Sequence, residues 1–125
     1  MLGRHPIEKM PDYYALADAM LFSLKDEYIF SITIPAKVQS YLACGKPILA
    51  MINGEANELI RHNGAGLGCR AGDAEGLANN VLKFNKMNTN ELSTIGENSY
   101  NCYKKYFKRD ILLDHAEVIF KKLIL

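Results

Sequence analysis

Residues 34–50 read IPAKVQSYLACGKPILA, and they decide what kind of fold the chain can adopt. Pro35 has the fixed φ of a helix start. Val38, Tyr41 and Leu42 follow at offsets of three and four, which puts them on one helical face. Gly45 suits the left-handed position just past a helix, and Pro47 prevents continuation. From Ile48 the chain is apolar at successive positions through Ile52, the pattern of a strand buried on both faces. A helix that feeds straight into such a strand predicts a crossover in a parallel sheet.

The same alternation extends both ways. Residues 7–18 set Pro11 and Asp12 ahead of Tyr13, Leu16, Ala17 and Met20, the spacing of a helix with a proline in its first turn. Residues 20–24 (MLFSL) form an apolar run and predict a strand, followed by an aperiodic loop over 25–33. Asn53-Gly54 ends the next strand. A short helix then spans Glu55 to His62, using Leu59 and Ile60, before a third strand at 67–69. Asp73 is an N-cap candidate for a helix whose predicted inner face is Leu77, Ala78, Val81 and Leu82. After Asn88 a longer helix is expected to use Leu92, Ile95, Tyr103 and Tyr106. A last helix, from about Asp110, is expected to use Leu112, Ala116, Ile119 and Leu123. No repeat interrupts the series. Strands alternating with helices predict an α/β fold, a three-layer α/β/α arrangement around a parallel sheet with right-handed crossovers. Three strands, with a stub at residues 1–2, make that sheet narrow.

The 125 residues suit one domain, 1–125, and 49% hydrophobic with 23% charged residues is ordinary for a soluble globule. A net charge of +1 gives no basis for nucleic-acid binding. Cys44, Cys69 and Cys102 are odd in number and match no metal spacing, which points to a reducing cytoplasm. No apolar run reaches the about 18 residues of a membrane span, and no signal peptide opens the chain. Gly3 and Pro6 punctuate at once, as they would just after a strand. The fold is therefore expected to be truncated at its N-terminus, an excised piece of a longer protein.

Parallel α/β sheets bind ligands beyond the carboxyl ends of their strands. Three segments fit: Gly3-Arg4-His5, residues 23–37, and Asn53-Gly54-Glu55. The helix opening at Pro35 is expected to leave N–H groups free at Thr33, Ile34 and Ala36, with the positive end of its dipole behind them, a ready anion site. Lys37 lies in that first turn, where a cation costs about 0.3–1 kcal/mol. A ligand phosphate would turn the liability into a contact; a solvated surface lysine is the other reading. Gly45-Lys46 is not a phosphate loop, because Ser40 stands where the first glycine would be and the pair follows a helix instead of opening one. His5, His62 and His115 have no metal spacing. Glu55 and Glu58 suit a helix start for dipole reasons alone, and a ligand role is the other reading. Cys44 and Cys69 read as packing residues. Residues 83–125 carry eight Lys and Arg against five acids, which fits a solvated helix end, with membrane-surface contact as the second reading.

Three blocks, LGRHPIEKMPDYYALADAMLFSL, IPAKVQSYLACGKPILA and NGEANELIRHNGAGLGCRAGDAEGLANNV, in this order and spacing, resemble the C-terminal half of group 1 (family 4) glycosyltransferases. The closing FKRDILLDHAEVIFKKL looks like the final helices of that half. The resemblance implies a Rossmann-like domain of the GT-B fold that binds a nucleotide-diphospho-sugar donor, with the N-terminal acceptor domain absent from this chain. It places the donor phosphates at Thr33, Ile34 and Lys37, the nucleobase near Gly3, Arg4 and His5, and the ribose near Ser40. The family usually has two glutamates separated by seven residues, and here Ile32 and Ser40 occupy those positions. Asp26 or Glu27 is then expected to contact the donor sugar. Pro35-Ala36-Lys37 with Tyr-Leu-Ala-Cys-Gly-Lys-Pro at 41–47 resembles the Pro-Ser-Lys…Tyr-Leu-Ala-x-Gly-Lys-Pro version of bacterial envelope-polysaccharide transferases.

The implied activity is retaining, metal-independent, hexosyltransferase-like transfer in cell-surface polysaccharide synthesis, without a cofactor, and the fragment alone is expected to be inactive. Implied partners are the enzyme's own N-terminal domain and an acceptor glycan or lipid-linked sugar, with no nucleic acid and at most peripheral membrane contact. The implied location is cytoplasmic, with the inner face of the cytoplasmic membrane as the narrower reading. A second reading is a non-catalytic nucleotide- or phosphate-binding module, or an oligomerisation module. A response-regulator-like version could use Asp26, but no acidic pair precedes it.

Overall fold

Residues 3–124 are described by a computed structural model; the strand stub expected at residues 1–2 lies outside them. A 3-10 turn (Ile7–Lys9) runs into α1 (Met10–Ala15), then β1 (Met20–Ser23), α2 (Tyr28–Ser31), α3 (Ala36–Ala43) and β2 (Ile48–Met51). There follow α4 (Glu55–His62), β3 (Gly66–Cys69), α5 (Ala74–Lys86), α6 (Thr89–Tyr106) and α7 (Arg109–Ile124). The local signals behave as the sequence implies. Pro35 is the N-cap residue of α3, and Gly45 takes φ +64° just past its end. Asp73 caps α5 by accepting from the Gly76 N–H at 2.8 Å. Asn88 and Glu91 close the start of α6 as a reciprocal capping box.

The sheet is parallel with order β1-β2-β3, Met20 standing beside Ile48 and Ile48 beside Gly66. Because the strands step in one direction, right-handed crossovers put α3 and α4 on the same face. That face is the core: Phe22, Ile48 and Ala50 from the strands meet Val38 and Leu42 of α3 and Ala56 and Ile60 of α4. Leu42, Ile48 and Ile60 are fully buried, each worth about 1.5–3 kcal/mol of apolar burial. Helix α5 packs on the other face, beside Met51, which completes three α/β/α layers.

Several predicted faces turn out differently. Helix α5 buries Asn80 and Phe84, while Val81 and Leu82 remain exposed around Met51. Helix α6 packs on α3 with the small residues Gly96, Ser99 and Cys102; Leu92, Ile95 and Tyr103 are half-buried and Tyr106 is exposed. No residue of α7 is buried, and Leu112, Ile119 and Leu123 lie open because α6 is the main element it touches. Leu16, just past α1, is exposed. Cys44 is exposed as well, and of the three thiols only Cys102 lies in the core. The loop after β1 contains α2, which Thr33 closes by donating from Oγ1 to the Ile29 carbonyl at 2.9 Å.

Candidate functional site

Two adjoining hollows open at the carboxyl end of β1. They share Ser23, Leu24 and Phe30. The first, about 580 Å³, is bordered by Thr33, Pro35, Ala36 and Lys37 from the start of α3 and by Tyr41 from its inner face. The second, about 700 Å³, is bordered by Asp26 and Glu27, with Met51 below. The chain therefore sets a helix amino end and a lysine on one side of Phe30, and two carboxylates on the other.

The first wall follows from local sequence. A proline at the N-cap supplies no side-chain acceptor, and no side chain caps α3; the Val38 N–H turns back to the Pro35 carbonyl at 3.0 Å, which leaves those of Ala36 and Lys37 to carry the helix dipole's positive end. Lys37 is exposed and, among the described residues, has neither an ion-pair nor a hydrogen-bond partner. Tyr41 anchors this wall by edge contacts with Tyr14 of α1 and Phe22 of β1, ring centroids 5.5 and 6.5 Å away. Burial raises the Tyr41 phenol, and Tyr14 adds to the effect, so Tyr41 offers a neutral hydroxyl and not a phenolate.

The second wall is tied down. Asn53, in the turn after β2, donates from Nδ2 to Asp26 Oδ1 at 2.8 Å and accepts at Oδ1 from the Ala71 N–H at 3.1 Å. Next to it Gly54 has φ +78°, and a Cβ there would overlap the Ser31 carbonyl. That close approach seats α2, and with it Phe30, over the end of the sheet.

The remaining predicted residues are placed as follows. Ser40 is exposed on α3 and donates from Oγ to the Ala36 carbonyl at 3.2 Å, one turn back from the opening. Ile34 is half-buried and packs on the core beneath the hollow, and Ile32 is exposed just past α2. Gly3, Arg4 and His5 are exposed and border neither hollow; the His5 ring lies against Tyr13, with Nδ1 3.0 Å from the phenolic oxygen. So the structure gathers Thr33, Lys37, Asp26 and Glu27 and leaves the 3–5 segment outside them. Ser23, Leu24 and Phe30, which join the halves, escape sequence reasoning. Their signal is weak: Ser23 ends an apolar strand, and Phe30 sits in a helix of one turn.

Other chemistry is poorly supplied. Desolvation raises the thiols of Cys44, Cys69 and Cys102, which disfavours the nucleophilic thiolate. Among the described residues no three His, Cys, Asp or Glu side chains are grouped so as to hold a metal ion, and no helix is long and apolar enough to cross a membrane. A hollow of about 570 Å³ at the opposite end of the sheet lies between α6 and Gly45-Lys46-Pro47. There Lys46 Nζ is committed to the Ala15 carbonyl at 3.0 Å and the start of α6 is closed by its own capping box, so neither its lysine nor its helix start is free for an anion.

The profile of the family described as glycosyl transferases group 1 matches residues 1–86. That span covers the first turn, the whole sheet, both hollows and α5. No curated protein matches the chain.

Proposed function

The chain belongs to the group 1 glycosyltransferases, enzymes of glycosyl transfer, and we propose that it is the donor-binding, C-terminal half of one. The donor is a nucleotide-diphospho-sugar. Its diphosphate lies at the start of α3 against the amides of Ala36 and Lys37 and the Lys37 ammonium, and its sugar reaches past Phe30 toward Asp26 and Glu27. The observation that carries this reading is the hollow that joins an uncapped helix start, an unpartnered lysine and the carboxyl end of β1.

When the sugar leaves, the bond between its anomeric carbon and the β-phosphate oxygen breaks, and negative charge grows on that oxygen. Fixed N–H dipoles and an ammonium aimed there stabilise the departing diphosphate more than the intact donor. This supports a metal-independent route, and the family resemblance adds retention of configuration. Ser40 bonds its own helix backbone, so the ribose contact the resemblance gives it requires that hydroxyl to turn outward. The acceptor site belongs to the N-terminal domain, and the bacterial envelope-polysaccharide role follows the resemblance alone.

Amide NMR of the labelled chain with uridine and guanosine diphosphates tests the placement. Shifts confined to Ser23, Leu24, Ala36 and Lys37 support it. Saturable shifts only elsewhere, or none at millimolar nucleotide, contradict it.

A further inference from the structure

A second cleft, about 1100 Å³ and mostly polar, runs along the outer edge of β3 between α4 and α5. Its walls present matching helical faces. Gly54, just ahead of α4, lines one side with Asn57, Glu58 and Arg61 of α4, and Gly76, Asn79, Asn80 and Lys83 of α5 line the other, each set spaced i, i+3, i+4, i+7. Both segments read Gly-x-Ala-Asn-x, then two aliphatic residues and a cation: GEANELIR at 54–61 and GLANNVLK at 76–83.

The groups in this cleft are short of partners. Asn80 is only 7% exposed, borders the cleft, and has no side-chain hydrogen bond within the described residues. Its carboxamide is therefore open to whatever fills the cleft. Asn57 spends Nδ2 on the Ile52 and Cys69 carbonyls at 2.6 and 2.9 Å, while its buried Oδ1 has no partner. Ile48 and Ile52 donate to the Ala65 and Cys69 carbonyls at 3.0 and 3.2 Å. Alternation along the ladder then turns the N–H and C=O of Gly68 outward, to the cleft. The acids here are occupied: Asp73 caps α5, Asp26 accepts from Asn53, and Glu58 pairs with Arg61 at 3.7 Å. Arg70 and Lys83 have no acidic partner among the described residues, so two cations stand open at the rim of a cleft whose three acids and three bases balance in formal charge.

We propose that this cleft, which meets the donor hollows at Asp26, is a further binding site, for a hydroxyl-rich anion such as a sugar acid or sugar phosphate. Asn80 and the Gly68 backbone each pair a donor with an acceptor, which suits vicinal hydroxyls. Arg70 and Lys83 meet the carboxylate or phosphate at the rim. The scarcity of apolar lining disfavours a hydrophobic ligand.

The test is calorimetric titration of the full chain with glucuronate, glucose 1-phosphate, glucose and inorganic phosphate, with an acidic peptide as a further arm. At least one sugar anion should bind about threefold to tenfold more tightly than both glucose and phosphate, the worth of one added hydrogen bond or exposed charge contact. Glucuronate against glucose 1-phosphate tells which anion is taken. Asn80→Leu should abolish that preference, and Arg70→Ala, at an exposed side chain, should weaken binding by a similar factor without changing the melting temperature. Sugar anions no tighter than phosphate, tighter binding of the peptide, or full binding by Arg70→Ala would overturn the proposal. Lys37→Ala should leave this binding unchanged, which separates its failure from that of the donor site.

Discussion

Asn53 Nδ2 donates a 2.8 Å hydrogen bond to Asp26 Oδ1, joining the turn after β2 to the turn after β1. The same carboxamide accepts from the Ala71 N–H beyond β3, so one side chain holds the carboxyl ends of all three strands. Asn53→Ala should cost about 1–2 kcal/mol, a hydrogen bond to a charged group plus an orphaned amide. Urea unfolding measures it; an unchanged midpoint would show that the turns are held by something else.

Gly54 admits no side chain. Its φ of +78° and the Ser31 carbonyl in the place of a Cβ predict that Gly54→Ala destabilises by about 2 kcal/mol or more, through strain and displacement of α2. Thermal melting gives the first part. Loss of nucleotide-induced shifts at Leu24 would report the second, since α2 seats Phe30 in the hollow.

Ser99, fully buried in α6, places Oγ 2.8 Å from the Lys46 carbonyl and 3.0 Å from that of Ala65. One hydroxyl proton thus serves the entries of both β2 and β3. Ser99→Ala leaves the Lys46 carbonyl without its donor, while Ala65 keeps the Ile48 N–H, and should cost about 1–2 kcal/mol. A chemical denaturation midpoint within error of wild type would contradict that role.

Alkaline pH should loosen the core. Burial raises the Cys102 thiol above its ordinary 9.0 and the Tyr41 phenol above its ordinary 10.0. Both groups hold their protons longer folded than unfolded. Their contribution is therefore complete below pH 9 and is lost as pH climbs through the raised folded values. Melting temperature should be flat through neutrality and fall above about pH 9, with the fall smaller in Cys102→Ala. A pH profile identical in the variant would remove Cys102 from this account.

Much of the fold is legible because its signals are local. Pro35, Gly45, Pro47 and Asp73 act through their own backbone geometry and hydrogen bonding, and Val38 and Leu42 mark the core face of α3 unaided. The inner face of α5 is not legible. Two faces compete there, and the aliphatic one, with Val81 and Leu82, loses to the one carrying Asn80 and Phe84, a choice fixed by where the sheet ends. Helix α6 hides its contact for a related reason: Gly96, Ser99 and Cys102 pack by being small, which hydrophobic periodicity does not register. At the site, Lys37 and the helix start are readable from Pro35, whereas Phe30 depends on α2, a single turn held by its packing against Gly54.

Whether the amino end of α3 holds a diphosphate is tested most directly by calorimetric titration of the chain with uridine diphosphate and uridine, and with the guanosine pair. One diphosphate should bind more tightly than its nucleoside, and Lys37→Ala should narrow that gap by about threefold to tenfold, the worth of one exposed charge contact. Diphosphates no tighter than nucleosides, or a gap unmoved by Lys37→Ala, would contradict a phosphate site at this helix.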